Sequence, residues 1–119
     1  MIKPRRSVNV DRLLVEIYNS EAEMSESVAK ITHQYLQNLL DKQDKVAILL
    51  ATGNSQIRFL DALIELGEID WSRIILFHLD EYLGIASDHP GSFRRYLRER
   101  VEEKVCPHRF YYITGDTLQ

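Results

Sequence analysis

The sequence predicts an α/β fold of three layers, with helices on both faces of a mainly parallel sheet. Three observations carry this expectation. Val46–Leu50 and residues 74–77 are short, continuous apolar runs, the pattern of strands buried on both faces. Stretches with helical apolar spacing precede, separate and follow them. Glycine and proline punctuate the alternation at Gly53, Gly67 and Pro107. Strand–helix alternation of this kind is joined by crossover connections, which align the strands in parallel.

In chain order, residues 1–9 are basic, contain Pro4 and read as a flexible leader to a domain over 10–119. Leu13, Leu14, Val15, Ile17 and Tyr18 suggest a first strand. Ser20 with Glu23 has capping-box spacing, and Met24, Val28, Ile31, Tyr35 and Leu39 then share one helical face, widened by Leu36 and Leu40. The polar residues 41–44 end that helix. The second strand, Val46–Leu50, breaks at Thr52, Gly53, Asn54 and Ser55. A second helix follows, with Ile57, Leu60, Leu63 and Ile64 on one side, and Gly67 stops it. After the strand at 74–77, residues 80–90 form a long aperiodic loop containing Gly84 and Pro90, a length often associated with function. Ser92 caps a third helix with Phe93, Tyr96, Leu97, Val101 and Val105 on its apolar face. Pro107 ends it, and residues 110–113 form the last strand.

The chain has 119 residues, 45% hydrophobic and 28% charged, which suits one globular domain. A net charge of −3 gives no general attraction to nucleic acid or to an acidic membrane surface. No apolar run approaches the roughly 20 residues needed to span a bilayer. The basic N-terminus has no apolar run behind it and is no secretory signal, so the expected compartment is the cytoplasm. Cys106 is the single cysteine, which excludes an internal disulfide and a four-cysteine zinc site.

Two segments carry candidate chemistry. A glycine turn between a buried strand and a helix leaves first-turn N–H groups unpaired beside the positive end of the helix dipole. Gly53 lets an anion approach the backbone, and Thr52, Asn54 and Ser55 add side-chain donors. The same residues read equally well as a plain strand-to-helix turn with Ser55 as its cap. The sequence contains neither a Walker-type phosphate loop nor a dinucleotide fingerprint, so the turn suits one small phosphate. Asp80 and Glu81 follow the third strand, and ligands of open α/β sheets bind outside the carboxyl ends of the strands. A fixed, partly desolvated carboxylate there can take a proton from a carbon beside a carbonyl or imine. Tyr82 is placed to pack over a sugar ring or to orient the acid. The alternative is a pair of solvated loop carboxylates. His78 and His89 match no zinc spacing and read as structural. Arg94, Arg95, Arg98 and Arg100 read mostly as a solvated helix face paired with Glu99, Glu102 and Glu103.

Together, the segment Leu50-Ala-Thr-Gly-Asn-Ser-Gln56 and the segment Phe77-His-Leu-Asp-Glu-Tyr-Leu-Gly84, followed by Asp88-His-Pro-Gly-Ser-Phe93, resemble the glucosamine-6-phosphate deaminase/isomerase family, which also includes 6-phosphogluconolactonase. The resemblance implies a Rossmann-like, ribose-5-phosphate-isomerase-like fold, of which this chain holds the N-terminal half. It implies that Thr52, Gly53, Asn54 and Ser55 cradle a sugar phosphate. Asp80, with Glu81 beside it, would act in catalysis, Asp80 moving a proton between C2 and C1. It also implies a hexose or amino-sugar phosphate as partner, with no metal or organic cofactor. Tyr82 matches the deaminase branch; the lactonase branch usually has arginine there. Gln56 stands where the family loop usually ends in proline. Family members are about twice this length, and their Asp-Gly-His segment has no counterpart here. Two alternatives stand beside this reading: a non-catalytic sugar-phosphate-binding or regulatory module that lacks the second-half machinery, and, from the family's other branch, a 6-phosphogluconolactonase-type hydrolase. A half-domain with parallel strands exposes a sheet edge, so self-association is expected.

Overall fold

The structure is a computed structural model that describes residues 2–117. Its first element is a hairpin. β1 (Arg6–Val10) pairs antiparallel with β2 (Leu13–Ile17), with Val8 opposite Val15. The two-residue connection of Asp11 and Arg12 forces antiparallel pairing, and Asp11 takes φ 53°, a left-handed conformation that aspartate tolerates. Residues 6–9, read from sequence as part of a leader, are therefore in a strand. β2 falls where the first strand was expected but pairs with β1 and stays outside the parallel sheet.

α1 (Glu21–Lys42) begins at Ser20, whose hydroxyl accepts the Glu23 N–H at 3.1 Å. Its buried face is Ser25, Ser27, Ala29, Leu36 and Leu40, whereas Ile31 and Tyr35 are 54% and 63% exposed. The small residues let α1 approach α2 (Asn54–Leu66) closely, and this turns the Met24–Val28–Ile31–Tyr35 stripe outward. The carboxyl end of α1 is closed by Arg73. Its guanidinium donates to the carbonyls of Leu40, Gln43 and Asp44 at 2.6–2.8 Å, where a cation also complements the helix dipole.

The second sheet is parallel, in the order β3 (Val46–Leu50), β4 (Ile74–His78), β5 (Arg109–Tyr111). Ile48 is level with Leu76, and Leu76 with Phe110. α2 connects β3 to β4, with a 3-10 turn (Trp71–Arg73) before β4. α3 connects β4 to β5. It runs as an α-helical segment (Phe93–Leu97), a π-helical turn (Arg98–Glu102) and a last α-helical segment (Glu103–Val105). Cys106 then closes the helix in a left-handed conformation before Pro107. Alternate sheet residues Val46, Leu50, Ile74, Leu76 and His78 pack inward with Leu60, Leu63, Leu97 and Val101 to form the core. The α/β class and the parallel sheet are as the sequence predicts, and the sheet is incomplete: its other face, with Leu49, Phe77 and Tyr111 in one row, is open. Among the described residues no helix is long and apolar enough to cross a membrane.

Candidate functional site

The carboxyl ends of β3 and β4 bring the two predicted segments to one edge of the sheet. The ladder continues past the strands, since the Leu79 N–H donates to the Leu50 carbonyl at 3.0 Å. The last paired residues are Leu50 and His78, so Thr52 and Asp80 each lie two residues beyond the carboxyl end of neighbouring strands. Asp80 is exposed, as are Asn54 and Ser55, while Thr52 and Gly53 are half-buried.

Gly53, not Ser55, is the residue at the N-cap of α2. Its φ of 115° and ψ of 170° belong to a region essentially confined to glycine. No side chain caps this helix start. The N–H groups of Asn54 and Ser55, at the start of the first turn, therefore find no partner inside the helix. The Gly53 carbonyl accepts the Gln56 N–H at 3.0 Å and the Tyr96 hydroxyl at 2.9 Å.

Asp80 and Glu81 have opposite environments. The Glu81 side chain is fully buried and receives five donors. One oxygen accepts the N–H groups of Tyr82 (3.1 Å) and Phe93 (3.0 Å). The other accepts the Ser92 hydroxyl (2.8 Å), the Arg94 N–H (3.1 Å) and the Arg94 Nε (3.2 Å). Burial alone would raise its pKa, but the N–H groups of Phe93 and Arg94, with Ser92 and Tyr82, outweigh it and hold the carboxyl at about 2. Glu81 is thus the ionised anchor of the α3 N-terminus, and its acceptor positions are committed. A carboxylate so held is a weak base, so the geometry makes Glu81 an anchor of the loop and not the catalytic group expected beside Asp80. Arg94, which the sequence reading counted with the solvated arginines, is buried. It also donates to the Ile85 carbonyl at 2.8 Å and pairs with Asp116 at 2.9 Å.

The rest of the acidic loop is tied down by the same helix. Arg95 donates to the Asp88 carbonyl at 2.7 Å, and the Gly84 N–H donates to the Gly115 carbonyl at 2.9 Å. His89 Nδ1 accepts the Gly91 N–H at 2.9 Å, a structural role as the sequence suggested. The Tyr82 ring is exposed and lies 4.9 Å from that of Phe93. His78 points into the core, where Nε2 accepts the Ile113 N–H at 2.8 Å. Burial pushes its imidazole below the ordinary value.

Sequence reasoning missed Tyr96, Arg94 and Gly115 as parts of the site. Tyr96 sits among apolar neighbours on the predicted face of α3 and reads simply as core. Arg94 is one of four arginines in seven residues, with nothing local to single it out. Gly115 lies within the turn from Thr114 to Thr117, and a side chain there would collide with the Tyr82 carbonyl oxygen.

An open parallel sheet with a glycine turn and a carboxylate loop at adjacent strand ends defines a Rossmann-like α/β protein, a class whose ligand sites lie outside the carboxyl edge. Comparison with known proteins narrows this class. Residues 19–119 match the model of the family described as glucosamine-6-phosphate isomerases/6-phosphogluconolactonase. A glucosamine-6-phosphate deaminase from Shewanella woodyi is 36% identical over 94 residues, covering 76% of this chain and 34% of that protein. Two solved structures share the fold: a monomeric glucosamine-6-phosphate deaminase (TM-score 0.72, 24% identity, 84% of this chain and 42% of that one) and a 6-phosphogluconolactonase from Plasmodium vivax (TM-score 0.76, 19% identity, 94% and 40%). This chain belongs to the glucosamine-6-phosphate isomerase/6-phosphogluconolactonase family and spans well under half the length of these relatives.

Proposed function

We propose that this chain forms the phosphate-holding and proton-moving part of an amino-sugar phosphate isomerase/deaminase, which converts glucosamine 6-phosphate and water to fructose 6-phosphate and ammonia. The observation that carries this reading is that Thr52, at the glycine turn, and Asp80 each lie two residues beyond the paired ends, Leu50 and His78, of neighbouring parallel strands. In this reading the N–H groups at Gly53, Asn54 and Ser55, with the Thr52 hydroxyl, bind the phosphate. The exposed Asp80 carboxylate takes the C2 proton of the open-chain sugar and returns it to C1. Water then adds at the C2 imine and the nitrogen leaves as ammonia. Glu81 fixes the acid loop against α3, and Tyr82 offers its exposed ring to the sugar.

A second reading is a sugar-phosphate-binding module without turnover, in which the turn holds the phosphate and Asp80 moves no proton. Titration of the chain with glucosamine 6-phosphate, with glucosamine as control, separates the two. Phosphate-dependent amide shifts at Gly53, Asn54 and Ser55, together with ammonia release that Asp80→Asn abolishes, support the enzyme. The same shifts without ammonia support the binding module. The absence of phosphate-dependent shifts at the turn overturns both. Tyr82, where lactonases usually have arginine, disfavours the hydrolase alternative, which consumption of 6-phosphogluconolactone would reveal.

A further inference from the structure

Among the aromatic residues of α3, Tyr96 alone reaches across to the turn after β3 and hydrogen-bonds its backbone. The bond spans 43 residues and ends on the carbonyl of Gly53, whose conformation only glycine adopts readily. A trans peptide group is planar, and its C=O and N–H point in opposite directions. Holding the Gly53 carbonyl toward α3 therefore aims the Asn54 N–H away from α3, to the outer side of the turn. Asn54 is exposed, and as the first residue of α2 its N–H has no helical partner.

The other end of the connection is equally defined. One turn before Tyr96, the N–H groups of Phe93 and Arg94 and the Ser92 hydroxyl all donate to the buried Glu81 carboxylate. Asp80 is its immediate chain neighbour. The acid loop and the glycine turn are thus fixed to the same helix, four residues apart. Burial raises the Tyr96 phenol above its ordinary value, so the hydroxyl remains a donor across the neutral range. The Arg100 guanidinium, 5.2 Å above the Tyr96 ring, packs the outer side of the aromatic.

We propose that Tyr96 is a positioning residue: it aims the anion-binding N–H groups of the Gly53 turn and holds that turn at a fixed distance from Asp80. The function of this arrangement rests on the phosphate reading given above; the tether itself does not.

The test compares Tyr96→Phe with Tyr112→Phe in the 119-residue chain. The second variant is the structural baseline, since Tyr112 is also a half-buried phenol that donates to one acceptor, Glu102 at 3.0 Å, remote from the turn. Amide hydrogen exchange in the ligand-free chain should accelerate by about tenfold at Gln56, whose N–H donates to the same Gly53 carbonyl, in Tyr96→Phe and stay unchanged there in Tyr112→Phe, as expected for loss of one hydrogen bond worth about 1.4 kcal/mol. Equal exchange at the turn in both variants overturns the tether. Glucosamine 6-phosphate affinity should fall several-fold in Tyr96→Phe alone. If the unaltered chain binds no sugar phosphate, the phosphate reading fails and with it the positioning role, while the exchange data still decide whether Tyr96 holds the turn. If it binds and both variants bind equally well, the phosphate reading stands and the positioning role of Tyr96 is overturned.

Discussion

The imidazole Nε2 of His78 accepts the backbone N–H of Ile113 at 2.8 Å, which joins the end of β4 to the residues just after β5. An accepting Nε2 carries no proton, so the neutral ring has its proton on Nδ1. Protonation would set two N–H groups against each other. The ring is packed against Phe110 and Tyr112, and desolvation lowers its pKa below the ordinary 6.5. The carboxylates of Asp80 and Glu81 act in the opposite sense, and Arg94 with the burial.

The folded state therefore binds fewer protons than the unfolded chain in the window below pH 6.5. The His78 contribution is full above 6.5 and is lost as pH falls through it. Thermal unfolding should move to lower temperature between pH 7.5 and 5.5. His78→Gln, which keeps an acceptor near Nε2 and removes the titration, should flatten that dependence. An identical pH profile in the two proteins would refute the assignment.

The contrast between β4 and β1 shows what the sequence made legible. Residues 74–77 are continuously apolar and lie in a strand of the core, and Ser20 and Ser92 cap the helices that their spacing indicated. β1 carries only Val8 and Val10 among polar and basic residues, and no glycine marks its turn, so its pairing depends on β2 rather than on any local signal. For α1 the period was legible but the buried side was not. Close packing on α2 selects Ser25 and Ala29, whose small size is invisible to a count of large apolar residues. At the site, Asp80 and Glu81 are indistinguishable in sequence. What separates them is the group of donors eleven to thirteen residues downstream, Ser92, Phe93 and Arg94.

Glu81 supplies the sharpest stability test. Its carboxyl is held at about 2 against an ordinary 4.5, so its ionised form is favoured in the folded state. The stabilisation is complete above pH 4.5, is lost as pH falls from there toward 2, and amounts to roughly 3 kcal/mol. Glu81→Gln turns an amide NH2 toward N–H donors and leaves Arg94 with Asp116 as its one remaining carboxylate partner. Removing one member of such a buried pair costs about 3–5 kcal/mol, a large part of the stability of a domain this size. Urea unfolding should show that loss; a change below about 1 kcal/mol would contradict the anchor role.

Gly115 is required for space. Its φ is not in the left-handed range, but a methyl group there would overlap the Tyr82 carbonyl oxygen and press on the Glu81 side chain. Both neighbours are fixed, one by the backbone and the other by five hydrogen bonds, so neither yields cheaply. Gly115→Ala should destabilise by about 1–3 kcal/mol. It should also shift the amide resonances of Gly84, whose N–H donates to the Gly115 carbonyl. Unchanged stability with unchanged Gly84 resonances would mean that the turn moves aside freely.

The open face of the sheet leads to the last expectation. Leu49, Phe77 and Tyr111 are level across the three strands, 61%, 39% and 44% exposed, and the Phe77 and Tyr111 rings stack with centroids 5.1 Å apart. Leu79 and Ile113 extend this surface. Together these side chains present on the order of 500 Å² of apolar area, near the upper end of what a monomer leaves uncovered. β3 is also an edge strand, with five apolar residues and no inward charge to deter pairing. A second copy of the chain offers the same row and the same edge, and an isologous contact uses both at once. Sedimentation should therefore show concentration-dependent association. Leu49→Lys, at a position too exposed to disturb the core, should shift the chain toward monomer with little change in Tm. A folded chain that remains monomeric at high concentration would show that the row tolerates water and that no second copy covers it.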